Sequence, residues 1–130
     1  MDAPVVKAML VCDNIIIEAV TNKESLIGIF EQINTPNFPV IHYLLGVYVK
    51  FTNAQGMYRF RLELRELETD KIIGFGETPE IECRDKLASI ELPFKLGGLK
   101  FEHPGRYEFR LLANNAPCEG GTKTFEVIKI

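Results

Sequence analysis

The chain has 130 residues, with 15 Lys and Arg against 18 Asp and Glu, a net charge of −3, and is 46% hydrophobic and 25% charged. That balance excludes a disordered chain. It also lacks the strong cationic field that nonspecific nucleic-acid binding requires. The length fits one domain over residues 1–130, which buries roughly two-thirds of its unfolded-chain surface and needs no metal or disulfide staple.

Met1-Asp2-Ala3-Pro4 places an acid where a secretory leader carries basic residues, and Lys7 and Asp13 break the first apolar run. No apolar run approaches the ~20 residues that span a bilayer. The expectation is a cytoplasmic chain with no membrane partner. Cys12, Cys83 and Cys118 form an odd set without CxxC spacing, which reads as free thiols in a reducing compartment.

Period-two alternation dominates, and no segment carries a helical period. Val6 to Cys12 predicts a first strand. Asp13-Asn14 predicts a break or bulge, and Asn14 to Val20, with Ile15-Ile16-Ile17, a β-branched continuation. Thr21 to Glu24 turns the chain, and Ser25 to Ile33 returns to complete a hairpin. Asn34 to Val40, with Pro36, Phe38 and Pro39, predicts an ordered crossover loop. Tyr43 to Thr52 follows, with Tyr43, Leu45, Val47, Val49 and Phe51 sharing one face.

In Met57 to Leu67, Tyr58, Phe60, Leu62 and Leu64 point one way and Arg59, Arg61, Glu63 and Arg65 the other. Thr69-Asp70 turns into Lys71 to Phe75. Glu77 to Lys86 reads as a loop or irregular edge. Ala88, Ile90, Leu92 and Phe94 form another apolar face. Leu99-Lys100-Phe101, between Gly97-Gly98 and Pro104-Gly105, reads as a connector. Arg106 to Ala113 is a strand whose Tyr107 stands where many immunoglobulin-like sandwiches carry a corner tyrosine. Asn114 to Gly121 reads as a loop before the last strand, Thr122 to Ile130. The pattern predicts an all-β, antiparallel two-sheet β-sandwich, immunoglobulin-like in broad architecture, with about eight strands.

Leu10-Val11-Cys12-Asp13, Ser25 to Phe30, Phe38-Pro39 and Pro104-Gly105-Arg106-Tyr107 occur in an order and spacing that resembles a bacterial family of small single-domain β-sandwich proteins of unknown function. The resemblance covers essentially the whole chain. It implies the fold and a bacterial origin, and it transfers no catalytic residue.

The residues supply no catalytic constellation either. His42 and His103 have no ligand-spaced partner. Ser25 and Ser89 lie in strand patterns without a GxSxG elbow. Neither Gly74-Phe75-Gly76 nor Gly97-Gly98 forms a phosphate loop. Cys12 reads as a core residue, whereas Cys83 and Cys118 fall in loop-like, exposed segments. The expectation is no enzyme, no cofactor and no metal.

Two features bear on binding. Arg59, Arg61 and Arg65 share one strand face, and Arg106 and Arg110 share another. If the strands are neighbours, they form either a solvated face of cross-strand ion pairs or a face for an anionic protein partner. Phe38 either caps the core or is presented for docking. The leading expectation is a non-enzymatic module that binds an unidentified protein partner or forms a homo-oligomer. The alternative is a small-ligand or carbohydrate-binding sandwich, with Tyr43, Tyr48 or Tyr58 in a concave aromatic cluster.

Overall fold

A computed structural model describes residues 3–130. Met1 and Asp2, which entered the reading of the chain's start, lie outside the described residues. The described residues form eleven strands: β1 Val5–Ile17, β2 Glu24–Ile29, β3 Gln32–Thr35, β4 Val40–Thr52, β5 Gly56–Tyr58, β6 Phe60–Glu66, β7 Lys71–Glu77, β8 Ile81–Cys83, β9 Ile90–Phe101, β10 Gly105–Ala113 and β11 Ala116–Lys129. No helix occurs among the described residues.

The all-β class is as predicted, but the two-sheet antiparallel sandwich is not. One nine-stranded sheet runs β7-β6-β10-β11-β1-β4-β9, with β2 added beside β1 and β3 beside β11; β5 and β8 form a separate pair. One half of the sheet, β2 with β1, β4 and β9, is wholly antiparallel. It joins the other half through a parallel step that sets Val5 opposite Glu119. β3 also runs parallel to β11. The end strands β7 and β9 face each other without pairing. Leu99 Cδ2 lies 2.7 Å from where a Gly74 Cβ would stand, and Leu96 Cδ2 lies 3.0 Å from that of Gly76. The result is a mixed sheet rolled into a nearly closed barrel, its seam filled by side chains.

The interior follows the alternation. Leu45, Val47, Val49 and Phe51 on β4, Phe60, Leu62 and Leu64 on β6, and Tyr107, Phe109 and Leu111 on β10 are buried. Phe101 meets Tyr107 edge-on at 4.9 Å, and Phe109 stacks on Phe125 at 5.5 Å. Such aromatic pairs add to simple area burial. Tyr107 closes the predicted corner: its hydroxyl donates to the His103 carbonyl, four residues upstream.

Several boundaries differ from the sequence reading, each because a tertiary partner was hidden. β1 runs unbroken through Asp13-Asn14, since β2 takes over as its neighbour at Cys12. Leu99-Lys100-Phe101 is strand, not connector. Gly98 adopts φ +65° and lets β9 turn over while staying paired with β4. Val40 and His42 sit opposite buried Phe101 and Leu99, yet Leu45 and Val47 sit opposite buried Leu96 and Phe94. The inward face therefore changes parity near Tyr43, which ends up outside. Asn114-Asn115 is a two-residue hairpin turn with both residues at positive φ, so β11 begins at Ala116 and takes in most of the predicted loop. β8 in turn gives the irregular Glu77 to Lys86 stretch a pairing with β5.

Candidate interaction surface

The register of β6 against β10 brings the two arginine groups together: Arg65 lies opposite Glu108, Glu63 opposite Arg110, and Arg61 opposite Leu112. Their charge is answered in place. Glu63, only 8% exposed, takes Arg61 Nε at 2.9 Å and Arg65 Nη2 at 2.9 Å. Asp70 takes Arg65 at 3.2 Å and Arg110 at 3.3 Å. Glu77 holds Arg61 at 3.0 Å and Glu108 holds Arg110 at 2.6 Å. The Arg61 guanidinium also lies 4.0 Å above the Phe75 ring. Burial alone would raise the Glu63 carboxyl. Hydrogen bonds from Arg61 and Arg65, together with their charges, outweigh it and hold Glu63 below the usual carboxylate range. Arg59 and Arg106 are exposed and make no ion pair among the described residues.

Phe38 is half-buried and packs against the core cluster. Cys83 and Cys118, expected in exposed loops, are buried, as is Cys12. Burial pushes the Cys118 thiol up to about 11 and raises Cys83 and Cys12 as well. All three thus stay as thiols at neutral pH, poor nucleophiles and ligands. The His42 ring stands 6.1 Å from Phe30. No group of three His, Cys, Asp or Glu is placed to hold a metal among the described residues. Tyr43, Tyr48 and Tyr58 do not converge: Tyr43 is exposed, Tyr48 is half-buried with its hydroxyl on Glu91, and Tyr58 is in the core.

The most unusual surface lies elsewhere. Eight of the thirteen large hydrophobic side chains exposed among the described residues fall between positions 16 and 44: Ile16, Ile17, Val20, Ile27, Ile29, Ile41, Tyr43 and Leu44. Val20 is 91% exposed, Tyr43 82% and Ile29 55%. They occupy the β1–β2 hairpin and the first half of β4, which come together where Phe30 meets His42. β2 is bonded to β1 alone. The sequence carried a signal for this surface in Ile15-Ile16-Ile17, a run without alternation. Such a run cannot put all its members inside a one-sided sheet. The parity change that turns Tyr43 outward was not legible.

A cleft of about 450 Å³ opens where β7 and β9 part, lined by Glu66, Lys71, Ile72, Lys100, His103 and Tyr107 among others. A family model matches residues 7–121. The chain belongs to DUF6941, a family of unknown function, in keeping with the resemblance to an uncharacterised family. The DUF6941 match takes in the hairpin, the arginine network and the cleft. No curated protein matches the chain.

Proposed function

We propose that the chain is a non-enzymatic interaction module of the bacterial cytoplasm, which binds a protein partner or a second copy of itself. The observation that carries this reading is the concentration of exposed apolar side chains on the β1–β2 hairpin and β4. Clustered apolar surface is characteristic of protein contact sites, whereas singly scattered residues are ordinary. The arginine face contributes less, because Glu63, Asp70, Glu77 and Glu108 already satisfy its charge. Light scattering over a wide concentration range, with capture from the native lysate, tests the reading against an Ile29→Lys/Tyr43→Ser variant. Self-association, or a near-stoichiometric partner, that is lost in the variant is the expected result. Only the 14.8 kDa monomer, with no captured partner, would sink it.

The cleft between β7 and β9 supports a second reading, a small-ligand site. Its size falls in the range of ligand pockets, and Lys71, Lys100 and His103 offer donors over Ile72. A thermal-shift screen of small metabolites, with Lys71→Ala and Lys100→Ala as controls, checks it. A stabilising compound that acts equally on both variants would place the site elsewhere.

A further inference from the structure

The β1–β2 hairpin has a packing layer of its own, outside the barrel. The register of β1 with β4 ends at Cys12 opposite Gly46, and beyond that point β1 pairs with β2 alone. Gly46 lies between Leu45 and Val47, which point inward, so its missing side chain faces outward. Ile15 Cγ1 and Cys12 Sγ lie 2.9 Å and 3.1 Å from where that Cβ would stand. Both residues are fully buried, yet neither belongs to the interior cluster. The hairpin thus lies over the outer face of β4 and covers a small apolar pocket of Cys12 and Ile15, with half-buried Leu26 opposite Ile15.

At the other end of this contact the chemistry is adverse. Glu24 opens β2 near enough to β9 for the charge of Glu91 to act on its carboxyl. The Tyr48 hydroxyl is already committed to Glu91 Oε2. Glu24 Oε1 is shut away from solvent with no hydrogen-bond partner. Lys50, opposite Glu91, and Lys95, opposite Gly46, share the outer face and form no ion pair among the described residues. An ionised Glu24 therefore has an inaccessible oxygen that nothing bonds and a second carboxylate for a neighbour. A protonated Glu24 removes the repulsion and takes the charge off the oxygen that nothing bonds.

We propose that the β1–β2 hairpin is a flap that acid closes: it docks on β4 and β9 when Glu24 holds a proton and loosens when Glu24 is ionised. Burial and the Glu91 charge raise the Glu24 carboxyl above its ordinary value of 4.5. A raised carboxyl favours docking below its ordinary value. That advantage is lost as pH climbs through the docked value. Over that interval the opening constant rises by up to roughly tenfold per pH unit for one linked proton. The inference stands independently of what the apolar surface binds.

Amide hydrogen exchange, corrected for intrinsic chemistry and compared with β6 in the same molecule, tests the proposal. Ser25 to Ile29 should exchange through a local opening that becomes more frequent as pH rises above the ordinary carboxylate value and through the docked one. Glu24→Gln should slow that exchange at neutral pH and make it independent of pH, and Glu91→Gln should weaken the dependence. Two results would overturn the flap: β2 amides that open only together with β6, or a pH dependence that survives in Glu24→Gln.

Discussion

On the β6–β10 flank, Arg61, Arg65 and Arg110 each meet a carboxylate within 3.3 Å, whereas on the β1–β2 hairpin Ile16, Ile17, Ile27 and Ile29 stand in water. Both lie outside the barrel interior, and both present long side chains. The difference is in what each leaves for another molecule to satisfy. A charge network closed on itself has little to gain from a partner, because breaking its pairs costs about what new pairs return. Exposed isoleucines have everything to gain, at roughly 25 cal/mol for each Å² they bury. An abundance of arginine in a strand pattern is thus a weaker sign of binding than an apolar residue that the fold has failed to cover.

The comparison can be broken or sharpened by five substitutions. The barrel interior sets the scale: Phe109→Ala should cost about 3–5 kcal/mol in a denaturant titration. Ile15→Ala empties a site that is just as buried, but under the hairpin. Its main effect should be lost exchange protection in β2, with a smaller shift of the global midpoint. An equal global loss would make the hairpin one unit with the barrel.

Gly46→Ala should come next, at about 1–3 kcal/mol from overpacking against Ile15 and Cys12, seen as a lower Tm. Glu63→Gln should cost about 1–2 kcal/mol at neutral pH. Its carboxyl is held low in the folded chain, so its contribution is present above the ordinary value of 4.5 and lost as pH falls through the folded value. Wild type and variant should therefore converge in acid, and parallel curves at every pH would contradict the network. Ile29→Lys should change stability by no more than about 0.5 kcal/mol while abolishing association in light scattering. A large loss of Tm would mean that Ile29 supports the hairpin rather than facing a partner.

Much of the interior was legible because it rests on local alternation: Phe60, Leu62 and Leu64 against Arg61, Glu63 and Arg65 needed only the period of a strand. Tyr107 was legible as a corner because the Pro104-Gly105 turn precedes it. What was hidden depends on distant neighbours. Nothing local to Val5 announces a parallel partner at Glu119, and that step turns a sandwich into a barrel-like sheet. Cys118 lies in a stretch whose composition reads as loop, and the pairing of β11 with β10 across the Asn114-Asn115 turn makes it strand. The arginine face, and its pairing with Glu63 and Glu108, could be read from residue spacing, but two of its other partners could not. Asp70 and Glu77 reach it from a turn and an edge strand whose register is settled only in three dimensions.

The seam between β7 and β9 also has a mechanical meaning. The antiparallel junctions around the barrel are laced by ladders of backbone bonds, and even β11 and β1 share the parallel step at Val5 and Glu119, but here no strand pairing is made and Gly74 and Gly76 receive Leu99 and Leu96 through dispersion contacts. A load applied across this line would meet short-ranged contacts that give way one after another, not a row of bonds that must be sheared together. The wall therefore has a built-in line of parting, and pulling from β7 should peel the barrel open there before any ladder is broken.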